Sequence, residues 1–164
     1  MKGGATPKIV DATAGMGRDA FFLASLGAEV TLIERSPAVH AALAAAIARA
    51  SAFSDEFAAI MARMTLVHGD SKTLLPALSP PVVLVDPMHP ERTKSALVKK
   101  QMRDLRDIVG ADPDANELME TALASATGRV VLKWPLRAAP IPGLPTPSHQ
   151  ILGKTTRYDV FVVG

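Results

Sequence analysis

The chain has 164 residues, 48% apolar and 21% charged, with a formal net charge of +2, which fits one globular domain with a sizeable core and excludes a disordered chain. It has no cysteine, so a disulfide framework, zinc thiolate sites and iron–sulfur ligation are excluded. The amino-terminal "MKGGATPKIVDATAG" lacks the apolar core of a signal peptide, and no apolar run reaches membrane-spanning length, so a cytoplasmic protein is expected.

In chain order, short β-branched runs predict strands at residues 8–12, 29–34, 64–68, 82–86 and 129–133, with a final pair near 150–152 and 158–163. Between them the pattern predicts a short helix at 19–26 and an Ala-rich helix from 37 to about 61. The Ala-rich helix opens on Ser36 as N-cap with Pro37 at its first position. Further helices are expected at 93–108 and 114–126, and the Pro-rich stretch "PLRAAPIPGLPTP" at 135–147 reads as an extended loop. Strand–helix alternation with near-continuous apolar strands argues for an α/β domain spanning 1–164, a mostly parallel sheet with helices on both faces. Only a loop joins the last two strands, so they should pair antiparallel. In such sheets ligands bind beyond the carboxyl ends of the strands, and the strand tips are where function should be sought.

The first tip is "VDATAGMGRDAFFLASLG". Gly15 and Gly17 allow a tight turn and close approach of backbone to a ligand, and the following helix aims its N-terminus there. A purely structural turn explains a lone Gly-x-Gly nearly as well. Ala20 stands where the third glycine of a dinucleotide fingerprint would be, so an NAD oxidoreductase loses ground. Asp11, Arg18 and Asp19 surround the loop with both charge signs, which suits a zwitterionic amino-acid tail better than a pyrophosphate. The second tip, "VTLIERS", ends on Glu34, placed to accept from both hydroxyls of a ribose; an exposed acid before a helix is the alternative. The third, "LVHGDS", offers Asp70 for an adenine amino group and Ser71 to cap the segment after it. Taken alone, Asp70 reads more simply as an N-cap and His68 as a packing residue. The histidines are not spaced as ligand pairs, and no metal is expected.

The fourth tip is "VLVDPMHP". An acid followed by proline in a rigid turn, Asp86-Pro87, resembles the (D/N/S)-P-P-(Y/F/W) signature of amino-group methyltransferases. An exocyclic amine on a nucleobase is a poor nucleophile because its lone pair is delocalised into the ring. An acid and a backbone carbonyl that accept its two N–H groups pull the nitrogen towards tetrahedral geometry and aim the lone pair at a sulfonium methyl. His89 stands where an aromatic ring would stack on the base.

Charge is segregated along the chain. Residues 1–90 carry seven Lys/Arg against eight Asp/Glu, residues 91–106 a net +4, residues 107–128 five acids and no base, and residues 129–164 again a net +4. Arg92, Lys94, Lys99, Lys100 and Arg103 form a local positive field suited to phosphates, although a solvated helix face accounts for the same pattern.

The strings "DATAGMGRDAFFLASLGAEVTLIERSP", "VDPMHPERTKSALVKKQMRDLRDIVG", "DPDANELMETALASATGRVVLK" and "KTTRYDVF" together resemble the small-subunit ribosomal RNA methyltransferase J family over nearly the whole chain. The resemblance implies a Rossmann-like class I methyltransferase fold with a seven-stranded sheet and an antiparallel last strand. It also implies methyl transfer from S-adenosyl-L-methionine, leaving S-adenosyl-L-homocysteine, to the N2 amine of a guanine in 16S rRNA or the small ribosomal subunit. By resemblance the cofactor contacts fall at Arg18, Asp19, Glu34, Arg35, Asp70, Ser71 and Asp86, beside the Asp11, Gly15 and Gly17 of the loop. Asp86, Pro87 and His89 would be the catalytic set, and residues 94–103 would hold RNA. The chain departs from the family at His89, usually an aromatic, and at Trp134 and Leu136, where a basic and an acidic residue are expected. It also begins almost at its first strand, where family members carry an extra amino-terminal region. A methyltransferase for DNA or small-molecule amines, and a non-catalytic module that binds cofactor and RNA, are the rival expectations.

Overall fold

The structure is a computed structural model that describes residues 4–87 and 114–164. In chain order these form β1 (Lys8–Asp11), α1 (Arg18–Ser25), β2 (Glu29–Glu34), α2 (Pro37–Phe53), α3 (Asp55–Met61), β3 (Met64–His68), α4 (Ser71–Leu78) and β4 (Val82–Val85). After residue 113 come α5 (Ala115–Ser125), β5 (Arg129–Pro135), β6 (His149–Leu152) and β7 (Thr156–Val162). The helix expected at 93–108 lies outside the described residues, as do His89 and the five basic residues Arg92, Lys94, Lys99, Lys100 and Arg103.

The strands form one seven-stranded sheet in the order β3-β2-β1-β4-β5-β7-β6. β1 to β5 pair parallel, and β7 runs antiparallel to both of its neighbours. This is the doubly wound sheet expected from the alternation of elements, with the direction change at β7. Alternate strand residues face opposite layers. On one side Ala20 and Ala24 of α1, Leu43 of α2 and Met61 of α3 cover Val30 and Leu32. On the other, Leu75 of α4 and Leu118, Met119 and Ala122 of α5 cover Val10, Ile33, Val83, Val85, Val130 and Leu132.

Two helix assignments need correction. The expected helix 37–61 is two helices, because Ser54 is extended (φ −162°, ψ 162°) and its hydroxyl accepts from the Phe57 amide at 3.2 Å, capping α3. An Ala-rich stretch hides this break from a periodicity argument, whereas a serine followed by two acids is a helix-start signal. The second correction is α4, a helix that the sequence pattern does not predict. Pro76 inside it withholds a backbone donor, yet Leu75 is fully buried and anchors the helix to the core. Its N-cap is Asp70, whose carboxylate accepts from the Lys72 amide at 2.9 Å, and not Ser71.

The Pro-rich loop has no regular structure, but it is fastened. Arg157 on β7 donates through Nη1 to the carbonyls of Pro135, Leu136 and Ala138 at 2.8–3.1 Å, and its Nε bonds both oxygens of buried Asp159. The Trp134 indole N–H donates to the Ala139 carbonyl at 2.9 Å, and β5 runs past residue 133 to Pro135 because its antiparallel pairing with β7 continues to Pro135 opposite Thr156. One of the cations that make 129–164 basic is therefore an internal strut, not part of a surface field. Among the described residues, no helix is long and apolar enough to cross a membrane.

Candidate active site

Parallel register gathers four strand tips at one edge. Asp11 is level with Leu32 of β2 and Leu84 of β4, and Val85 is level with Leu132 of β5. The residues just beyond these positions therefore meet. The Asp86 amide donates to the Thr13 hydroxyl at 2.7 Å, and the Thr13 amide donates to Asp11 Oδ1 at 3.1 Å. Thr13 thus orients the turn after β4 from the loop after β1, a role no local sequence signal marks.

The glycine loop turns through left-handed backbone at Gly15 (φ 53°) and Gly17 (φ 74°). A Cβ on Gly17 would lie 2.9 Å from Leu43, so packing as well as backbone conformation favours glycine there. Glu34 clamps this loop to the tip of β2. Its Oε2 accepts from the Gly15 amide at 2.9 Å and its Oε1 from the Ser36 amide at 2.8 Å, at a site only 6% exposed. Glu34 is not the exposed acid of the alternative reading.

Ser71 donates to the Ala12 carbonyl at 2.6 Å and ties α4 to β1. Arg35 forks onto both oxygens of Asp114 at 3.1 Å, and Lys72 joins the same carboxylate and Glu117; those two acids hold the Lys72 ammonium above lysine's usual range. His68, expected as a packing residue, is exposed; its ring lies against His40, centroids 5.1 Å apart, and its Nε2 is 3.3 Å from the Arg35 carbonyl oxygen.

Between these tips lies an open cleft. Gly15, Glu34, Arg35, Asp70, Ser71 and Asp86, six of the sequence-selected residues, line it. Asp11 is buried below it, Gly17 packs under the loop, and Arg18 and Asp19 stand in the first turn of α1 without lining it. Pro87 is buried directly after Asp86.

Lys133 belongs to the site although no sequence signal marks it. It sits on β5 between buried Leu132 and Trp134, and its Nζ lies 2.7 Å from Asp19 Oδ2 and 3.0 Å from Asp86 Oδ2. Burial pulls the ammonium pKa down, but the Asp86 and Asp19 carboxylates outweigh it and hold it above lysine's usual range. One ammonium thus stands among three acids.

The third acid, Asp11, has its pKa pushed up to about 7. Burial is the main cause, the Asp19 and Asp86 charges add to it, and the Thr13 amide and Lys133 oppose it. An acid that holds its proton more tightly when folded stabilises the fold at low pH and loses that contribution as pH rises from about 4 to about 7. Asp11→Asn should therefore flatten the decline of stability over that window and stabilise the protein at pH 8, by an amount of the order of a few kcal/mol. Urea denaturation at pH 5 and pH 8 checks this; an equal effect at both pH values contradicts a protonated Asp11.

The donor set fits an adenosyl amino acid. Glu34 offers carboxylate lone pairs beyond the two that its amides use, Asp70 lines the cleft one strand further out, and the glycine loop brings backbone to the cleft wall. Together with a parallel sheet reversed only at β7, these features define an S-adenosylmethionine-dependent methyltransferase, and a family model described as SAM-dependent methyltransferase matches residues 1–163.

More particularly, the chain belongs to the ribosomal RNA small subunit methyltransferase J family. It is 68% identical over 160 residues to the protein of that name from Agrobacterium fabrum, covering 98% of this chain and 77% of that one. It is 64% identical over 163 residues to the one from Rhodopseudomonas palustris, covering 99% and 75%. A solved SAM-dependent methyltransferase of Neisseria gonorrhoeae superposes with a TM-score of 0.77 at 37% identity, covering 96% of this chain and 62% of that one. A glycopeptide N-methyltransferase solved with S-adenosylmethionine shares the fold, with a TM-score of 0.54 at 22% identity; 99% of this chain and 60% of that one are covered.

Proposed function

We propose that the protein methylates the N2 amine of a guanine in 16S rRNA, with Asp86 as the group that grips the amine. The observation that carries this reading is the fixed position of Asp86. Its amide is held by Thr13, its carboxylate is held by Lys133, and it borders the same cleft as Glu34. Glu34 and Asp70 would hold the adenosine half of the cofactor, Gly15 and Ser71 would border it, and Arg18 and Asp19 would meet its amino-acid end. Bound S-adenosylmethionine supplies an electrophilic methyl group and leaves as the neutral thioether S-adenosylhomocysteine.

The chain's own contribution is orientation and proton transfer. An Asp86 carboxylate oxygen accepts one N–H of the guanine amine, and a backbone carbonyl of the Asp86-Pro87 turn accepts the other. The nitrogen pyramidalises, so its lone pair is withdrawn from the ring π system and points at the methyl carbon. As the N–C bond forms, the nitrogen sheds one proton, which the Asp86 carboxylate accepts and returns to water. His89 would lie over the base.

The names of the relatives favour ribosomal RNA over DNA as the polyanion. Arg92, Lys94, Lys99, Lys100 and Arg103 would hold its phosphates. Exposed Arg137 and Lys154, which follow β5 and precede β7 at the same edge of the sheet, would extend that surface. An enzyme acting on the small ribosomal subunit would work in the cytoplasm. Labelled methyl transfer tests the reading with 16S rRNA or immature small subunits competing against DNA; label should enter rRNA alone. Five phosphate contacts predict that affinity falls about 10²-fold between 50 and 200 mM salt, and a flat response counts against the basic segment as the RNA surface.

A further inference from the structure

We infer that Thr13 is a positioning residue for methyl transfer: its hydroxyl, carried on a loop pinned at four successive amides, sets the backbone of the Asp86-Pro87 turn against the cofactor cleft. The inference rests on the assignment of Asp86 as the amine-gripping group and goes beyond it to the residue that places the turn.

Three observations carry it. First, the turn offers a single backbone donor by which it can be held. β4 ends at Val85, and Pro87 has no amide hydrogen. That donor is the Asp86 amide, the first beyond the strand, and it donates to Thr13 Oγ1 at 2.7 Å. Second, the acceptor stands on a rigid base. The Ala12 amide donates to the Leu84 carbonyl at 2.9 Å and the Thr13 amide to Asp11 Oδ1 at 3.1 Å. The Ala14 amide donates to the Ile33 carbonyl at 3.1 Å and the Gly15 amide to Glu34 Oε2 at 2.9 Å. Asp11 is itself buried and in register with Leu32 and Leu84. A β-branched side chain on backbone so fixed has few rotamers, and its hydroxyl is preset for the turn.

Third, Thr13, Gly15 and Asp86 line the same cleft. The loop proposed to border the cofactor therefore also carries the group that places the amine-gripping turn. Methyl transfer needs the amine nitrogen in line with the sulfonium methyl, and a misplacement of about 1 Å can cost about 10²-fold in rate. One hydroxyl shared between the two sides keeps that alignment.

The test compares Thr13→Val, Thr13→Ala and Thr13→Ser with the parent protein. Valine keeps the shape of threonine without the acceptor, and alanine removes the acceptor without setting a methyl group against the Asp86 amide. Both should lower kcat about 10–10²-fold. Calorimetry should show their affinity for S-adenosylhomocysteine changed by less than about threefold, so that the loss falls on kcat. Thr13→Ser, which restores the acceptor, should return kcat to within about threefold of the parent value. Hydrogen exchange at the Asp86 amide reads the bond directly. It should be slow in the parent and serine proteins and at least about tenfold faster in the valine and alanine variants. Fast exchange in the parent protein overturns the inference without any variant. So do parent-like kcat in Thr13→Val and Thr13→Ala, a serine variant as slow as valine, or cofactor affinity that falls in step with kcat. Asp86→Ala separates the two ideas. An inactive Asp86→Ala beside an unimpaired Thr13→Val sinks the threonine's role alone, whereas a fully active Asp86→Ala sinks the assignment of Asp86 and the role of Thr13 with it.

Discussion

Asp86→Ala should lower kcat about 10²–10³-fold, the loss seen when a preorganised polar group aimed at a reacting centre is removed, while the fold survives. The side chain is 40% exposed and its carboxylate pairs with Lys133, so truncation leaves no deeply buried partner stranded, and the pair, open to solvent, contributes at most about 1 kcal/mol. The backbone of the turn stays in place because the amide of residue 86 still donates to Thr13. What disappears is the proposed acceptor for the amine. Calorimetry with S-adenosylhomocysteine should show affinity changed by less than about tenfold, so that the loss falls on kcat and not on cofactor binding. Asp86→Asn keeps a carbonyl acceptor but offers Lys133 no charge, and should fall between alanine and the parent protein. A tenfold loss or less in Asp86→Ala contradicts the assigned role.

Glu34→Gln should lose both stability and cofactor affinity, although it is nearly isosteric. The parent carboxylate accepts two amides on two different oxygens, from Gly15 and Ser36. A glutamine has one carbonyl oxygen, and its NH2 would face the other amide, donor against donor, at a site 6% exposed. One stranded amide costs about 1–3 kcal/mol, and Glu34→Ala, which strands both, should lose about 2–6 kcal/mol. The glycine loop, no longer fastened to β2, would present Gly15 less sharply, and the proposed ribose acceptor is removed as well. Affinity for S-adenosylhomocysteine should fall by about 10²-fold or more, equivalent to two charge-assisted hydrogen bonds at about 1.5–3 kcal/mol each. Urea midpoints and calorimetry measure the two losses separately. Unchanged stability would contradict the clamp, and unchanged affinity would contradict the ribose assignment.

What is legible in the sequence is local. Apolar runs that end on an acid locate the tips at Asp11, Glu34 and Asp86, and Asp70 after its glycine marks the third; parallel pairing then brings them to one cleft. Glu34 shows the limit of that reading. Its position at the β2 tip follows from the run "VTLIE", but its grip on the Gly15 amide depends on a contact 19 residues distant in sequence. Lys133 is harder still. A lysine closing an apolar strand reads as an ordinary solvated end, and its contacts with Asp86 and Asp19 exist only through the register of β5 against β4 and the approach of α1. Thr13 is hidden for the same reason. The break at Ser54 and the helix capped by Asp70 are local and open to reading; alanine-rich continuity masks the first and Pro76 the second.

The most direct test of the central claim is the identity of the methylated nucleoside. Small-subunit rRNA incubated with the protein and methyl-labelled S-adenosylmethionine should, after digestion to nucleosides, carry its label as N2-methylguanosine, and the same digest from Asp86→Ala should carry almost none. Label in any other nucleoside, or equal N2-methylguanosine with and without Asp86, would contradict a guanine amine gripped by that carboxylate.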